Sequence, residues 1–129
     1  MLVVDASFAV QASLAGGLER LAGHAAIAPP LLWSEAISAL HELAWRRVIS
    51  PEVAAIARDA LARAPIARRR PSQLQDEAWE IATRLGWAKT YDAEYVALAR
   101  LNRCALLTLD ARLVRAAGGE VAMMPPTDL

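Results

Sequence analysis

At 129 residues the chain is sized for one domain over residues 1–129, long enough to bury about two-thirds of the surface its unfolded form exposes with no disulfide or structural metal. Its 14 basic and 14 acidic residues cancel, so net charge gives no argument for a nucleic acid partner and the distribution of charge must decide. An apolar content of 56% and a mean hydropathy of +0.26 exceed what a small monomer needs and point to surface meant for a partner. The lone Cys104 excludes an internal disulfide and fits a reducing compartment. No stretch reaches membrane-spanning length without a charge or Pro, and the start lacks a signal-peptide pattern, so a cytoplasmic protein without membrane segments is expected.

The first element is the apolar run Met1-Leu2-Val3-Val4, which ends in Asp5 and Ser7 and has the pattern of a strand covered on both faces. Phe8 to Leu21 is predicted as two short helices broken at Gly16-Gly17, and His24 to Ala28 as a second strand. Pro29-Pro30 then starts a helix running to about Arg47, with Glu35 inside it. Ser50-Pro51-Glu52 is a strong helix start, with Ser50 as cap and Pro51 in the first helical position, and that helix ends before Pro65. Ile66 to Arg70 is predicted as a short edge strand, and Pro71-Ser72 as the start of a helix stopped by Gly86. A helix from Thr90 or Tyr91 to about Asn102, a strand from Ala105 to Leu109, a helix from Ala111 to Ala117 and a last strand over Glu120 to Met124 complete the chain.

Strands alternating with helices imply an α/β fold with a parallel sheet and helices on both faces. With the first strand central, the second on one side and the Ala105 to Leu109 strand on the other, Asp5 and Asp110 face each other at the topological switch point, where ligands of open α/β sheets bind.

Four carboxylates thus punctuate apolar elements: Asp5, Glu35, Asp92 and Asp110. Taken singly, Asp5 and Asp110 are explained as helix caps and Asp92 as a first-turn acid. Glu35 resists that account, since it interrupts the stripe of Leu31, Leu32, Ala36 and Ala39. Taken together, converging carboxylates repel one another unless a cation joins them, and oxygen ligands select Mg2+ or Mn2+. His24 and His41 stand alone, with no zinc-ligand spacing. Glu42 and Glu94 are reserve candidates, Glu42 facing solvent or Arg46 and Glu94 at the rim. Thr108 lies two residues from Asp110 on a strand, so both face one side.

The segments Val4-Asp5-Ala6-Ser7, Ser34-Glu35-Ala36, Tyr91-Asp92-Ala93-Glu94-Tyr95-Val96-Ala97-Leu98-Ala99 and Leu107-Thr108-Leu109-Asp110-Ala111-Arg112-Leu113 occur in that order. In these the chain resembles the PIN-domain ribonucleases, especially the VapC-type toxins of bacterial toxin–antitoxin pairs. The resemblance implies a three-layer α/β/α fold with a central parallel sheet and metal-dependent hydrolysis of RNA phosphodiester bonds by an endoribonuclease. It carries the family's four acids, as catalytic residues and ligands of Mg2+ or Mn2+, onto Asp5, Glu35, Asp92 and Asp110. It also places Ser7 and Thr108 at the family's hydroxyl positions, and implies a cognate antitoxin that fills an apolar groove.

RNA recognition needs a basic rim, for which Arg68, Arg69, Arg70, Lys89 and Arg112 are the candidates, although the Arg run also fits a solvated edge. Trp33, Trp45, Trp79 and Trp87 suit core or interface packing better than base stacking. The antitoxin groove is expected between the Leu14 to Leu21 segment and the Glu35 helix, lined by Leu14, Leu18, Leu21, Trp33, Ile37 and Leu40. A homodimer is expected through the Asp92 to Asn102 helix and its neighbours. Two rivals remain: an inactive PIN-like module that binds RNA or protein, and a phosphatase of the haloacid dehalogenase type, which would carry a second Asp where Ser7 stands.

Overall fold

A computed structural model describes residues 1–129. Four short strands form one wholly parallel sheet: β1 (Leu2–Val4), β2 (Ala26–Ala28), β3 (Ile66–Arg68) and β4 (Ala105–Leu107), in the order β3-β2-β1-β4. β1 is central, its residues fully buried, with Val3 opposite Ile27 on one side and Leu106 on the other. From β1 the chain steps outward through β2 to β3, then returns to the opposite side for β4. Right-handed crossovers place the helices of the outward and returning steps on opposite faces, which gives three layers. Accordingly α1 (Ala6–Ala15), α2 (Leu31–Trp45) and α3 (Pro51–Ala62) pack on one another, while α4 (Leu74–Leu85) packs with α5 (Tyr91–Asn102), and α5 lies on β1 and β4.

Local chemistry sets the boundaries. Asp5 caps α1, its carboxylate accepting the Phe8 N–H at 3.1 Å. Ser50 caps α3 by accepting the Val53 N–H at 3.1 Å, with Pro51 in the first turn. Asp110 caps α6 (Ala111–Ala117), accepting from the N–H of Arg112 at 2.9 Å and of Leu113 at 3.4 Å. Gly86, at φ 70°, ends α4 in the left-handed conformation that only glycine adopts cheaply.

Several predicted boundaries move. The second strand begins at Ala26, because a turn with His24 N–H bonded to the Leu21 carbonyl, at 3.1 Å, takes the preceding residues. α4 begins at Leu74, after a turn closed by the Pro71 carbonyl. β4 stops at Leu107 instead of Leu109, since side chains take over its ladder: the Leu109 N–H donates to Ser7 Oγ and the Asp110 N–H to Thr108 Oγ1. The expected last strand is corrected to one parallel bridge between Leu106 and Met123, for Pro125 has no N–H to extend it and Glu120 is held instead by Arg84 and Arg100 at 3.0 Å each.

The core takes in Leu18 and Leu21, so the groove expected between the Leu14 to Leu21 segment and α2 is closed. The open groove runs instead between α2 and α3, about 420 Å³ in volume, lined by Ile37, Ala44, Trp45, Pro51, Ala54 and Arg58 among others. α5 buries Ala93 and Tyr95 through Ala99 inside the chain, which removes most of the helix expected to carry self-association. Trp33 and Trp87 pack against the core as expected, whereas Trp45 and Trp79 are 77% and 67% exposed. No helix is long and apolar enough to cross a membrane.

Candidate functional site

Parallel strands end together, so Asp5 after β1 and Thr108 after β4 meet at one edge of the sheet, next to the switch point. Asp5 is 5% exposed. Its Oδ1 accepts from Ser7 Oγ at 2.7 Å and from the Phe8 N–H, and its Oδ2 accepts from Thr108 Oγ1. Each hydroxyl has one proton and spends it on Asp5, so the lone pairs of Ser7 and Thr108 are free to accept the Leu109 and Asp110 N–H groups, at 2.9 and 3.0 Å. The two hydroxyls therefore orient Asp5 and, at the same time, fix the backbone that presents Asp110. Burial pushes the Asp5 pKa up; the Thr108, Ser7 and Phe8 hydrogen bonds pull against it, and Asp92 adds to the rise.

Glu35 projects from α2 into the same region, where Tyr95 of α5 donates its hydroxyl to Oε1 at 2.5 Å. Burial raises the Glu35 pKa, Tyr95 opposes the rise, and the charges of Asp92, Asp5 and Glu94 add to it. Asp92, in the first turn of α5, is also raised, by burial and then by Asp110, with Arg112 opposing. Asp110 has Arg112 Nε 3.8 Å from its Oδ1. The four acids thus feel one another, and Glu35, Asp92 and Asp110 line one cleft of about 610 Å³. Asp5 stands behind that lining.

In the arrangement seen, no three His, Cys, Asp or Glu side chains draw close enough to enclose a metal ion. The acids surround one region without sharing one coordination sphere. The donor set nevertheless fits a hard divalent cation: it is all carboxylate oxygen, ionisation of three of its members is disfavoured by burial and by one another, and Asp92 has none of the hydrogen bonds that occupy Asp5, Glu35 and Asp110.

Of the basic candidates, Lys89 and Arg112 line the acidic cleft, together with the aromatic rings of Trp87 and Tyr91. Arg68 ends the edge strand β3, Arg69 and Arg70 follow it, and all three are exposed. Arg68 lies over the Trp33 ring, 4.5 Å from its centroid. Arg70 is near enough to Glu94 to lower its pKa against the rise caused by burial. Glu42 pairs with Arg46 at 3.0 Å in solvent, away from the cleft. Cys104 is partly buried in a separate depression beside the ion pairs of Glu77, Arg100 and Glu120. Sequence reasoning missed Tyr95, although its position three residues after Asp92 places both on one helix face.

A parallel α/β sheet with carboxylates gathered at its switch point, and two hydroxyls holding the first of them, defines a class of small acid-centred domains. The chain belongs to one such family: residues 2–119 match the PIN domain. It is 38% identical over 115 residues to "VapC ribonuclease Mb0985" of Mycobacterium bovis, covering 88% of each chain. The same identity and coverage relate it to "Ribonuclease VapC9" of Mycobacterium tuberculosis. The crystal structure of PAE2754 from Pyrobaculum aerophilum shares the fold, with a TM-score of 0.70 over 98% of this chain and 91% of that one, at 23% identity.

Proposed function

We propose that the chain is a divalent-metal-dependent endoribonuclease and the toxin of a toxin–antitoxin pair, with Asp5, Glu35, Asp92 and Asp110 as its catalytic acids and metal ligands. The observation that carries this is the convergence of Glu35, Asp92 and Asp110 on one cleft with Asp5 behind it, where a cation is the natural partner. Its naming relatives are ribonucleases, which supplies the substrate class. Mg2+ or Mn2+ bound there supplies charge to offset the phosphodiester and acidity for the attacking water. Ser7 and Thr108 keep Asp5 fixed and, by donating to it, oppose the rise in its pKa caused by burial, so the first acid costs little reorganisation when the substrate arrives. A covalent role for Asp5 has little support, since three donors occupy its oxygens and Ser7 stands where the phosphatase pattern needs an acid.

The purified protein is expected to cut single-stranded RNA internally in Mg2+ or Mn2+ and to stop when EDTA is added. Cleavage indifferent to chelator would overturn the metal role. An absence of cleavage, together with no rise in melting temperature on adding either ion, would favour the inactive binding module.

Substrate holding is assigned first to Lys89 and Arg112, which reach phosphates along the cleft, while Tyr91, 53% exposed, offers a face for a base. Arg68, Arg69 and Arg70 extend that track more weakly, since Arg68 already rests on Trp33. Replacing Lys89 and Arg112 with Ala together is expected to flatten the dependence of log affinity on log salt by about one to two units, at about 0.7 per contact for a single strand. The triple Ala variant of Arg68, Arg69 and Arg70 should flatten it less. Filter binding across a salt series in EDTA measures both, and an equal or larger change in the triple variant would move the track to the β3 edge.

For the antitoxin we propose the groove between α2 and α3, where Arg58 and His41 line a mostly apolar trough and Arg58 offers a cation to an acidic residue of the incoming segment. Self-association is assigned to the flank of α4, the neighbour of α5, where Trp79 stands 67% exposed.

A further inference from the structure

We propose that Tyr95 is a positioning residue for the acidic centre: its buried hydroxyl fixes Glu35 so that the free carboxylate oxygen, Oε2, is presented to the cation. This rests on the metal-centre assignment above and adds to it a residue outside the four acids. Tyr95 is 1% exposed, and its hydroxyl donates to Glu35 Oε1 across the gap between α5 and α2. Asp5 has three donors to hold it and Asp110 has the backbone of α6, but Tyr95 is the side chain that bonds Glu35.

The chemistry suits that task. A carboxylate on a helix samples several rotamers, and one donor to one oxygen removes most of that freedom while leaving the other oxygen's lone pairs unused. A phenol is a better fixture here than a Lys or Arg, because it donates without adding a positive charge that would compete with the cation. Tyr95 and Asp92 also share a face of α5, so the bond sets the spacing between Glu35 on α2 and Asp92 on α5.

The test is calorimetric titration of Mn2+ into wild type, Tyr95→Phe, Glu35→Gln and the double variant, with circular dichroism and melting temperature recorded for each. Tyr95→Phe is expected to keep the fold and to weaken Mn2+ binding about 10-fold or more, within the range known for partners that orient metal ligands. Raising Mn2+ should restore its RNA cleavage toward the wild-type maximum. In the Glu35→Gln background the same substitution should cost nothing further, because the ligand through which Tyr95 acts is already altered. If wild type binds Mn2+ and Tyr95→Phe binds it equally well, the positioning role fails while the metal centre stands. A full additional loss in the Glu35→Gln background overturns it as well, by showing that Tyr95 acts on the general packing. If wild type itself binds no Mn2+, the metal centre fails and the role of Tyr95 with it.

Discussion

Asp92→Asn is expected to lower RNA cleavage by more than about 100-fold and, in the same protein, to raise the melting temperature of the metal-free form. The loss follows from removing a proposed ligand, which should exceed the 10–100-fold cost of disturbing an outer partner. The gain follows from the electrostatics of the cleft. Asp5, Glu35 and Asp92 hold their protons to higher pH in the folded chain than at their ordinary values of 3.8, 4.5 and 3.8. The folded state therefore binds more protons than the unfolded state just above those values, and their contribution to stability falls as pH rises through the raised pKa values. Asparagine has no charge to desolvate and no repulsion to impose on Asp110 or Glu35. Asp92 is the cleanest site for this substitution, since Asp5→Asn would turn an amide N–H toward hydroxyls that already donate. The difference in melting temperature between variant and wild type should be largest near neutral pH and should shrink toward the ordinary carboxyl range. Adding Mg2+ or Mn2+ should reverse the order, because only the wild type then has its full set of ligands. Cleavage within 10-fold of wild type, or a metal-free variant that melts lower at neutral pH, would remove Asp92 from the centre.

The strands themselves were legible because each is a short apolar run followed by residues that do not continue it: Asp5 after β1, Pro29 after β2, Asp110 beyond β4. Capping signals such as Ser50-Pro51 and Gly86 are local, so they survive without knowledge of the rest of the chain. The misplaced features depend on long-range partners. β4 is two residues shorter than its apolar run because the acceptor that captures the Leu109 N–H is Ser7, at the other end of the chain. The final strand was lost to ion pairs with Arg84 and Arg100 that apolar patterning does not register. The acids stood out since each interrupts an apolar element, but Tyr95 looked like one more apolar residue in Tyr95-Val96-Ala97-Leu98-Ala99 and only its partner Glu35 reveals it. The groove was displaced by one helix because Leu18 and Leu21 face the core while Ile37 and Leu40 line the side of α2 toward α3, a choice among apolar faces that the periodicity of a single helix does not make.

Trp45→Asp and Ile56→Asp, made together, are expected to abolish antitoxin binding while leaving RNA cleavage and the fold intact. Trp45 at the end of α2, Val48 in the following turn and Ile56 on α3 are 77%, 67% and 70% exposed. Three exposed side chains of this size on and between two packed helices mark a surface for a partner to cover. Trp45 lines the groove, Ile56 follows the groove residue Ala55 on α3, and none of them lines the acidic cleft. Surface substitutions there should shift stability by no more than about 0.5 kcal/mol each. A buried Trp at the centre of an interface contributes about 2 kcal/mol or more, roughly a 30-fold loss in affinity, and a carboxylate forced into the apolar trough adds its own desolvation cost. Calorimetry with the product of the neighbouring gene reads the affinity, and an RNA cleavage assay on the same samples reads the centre. The double variant should cut RNA at the wild-type rate and should continue to do so when the antitoxin is added. If the antitoxin still binds and silences it, the groove between α2 and α3 is not where the partner sits. If the double variant loses cleavage without unfolding, the patch is coupled to the centre through α2, the helix that carries both Trp45 and Glu35.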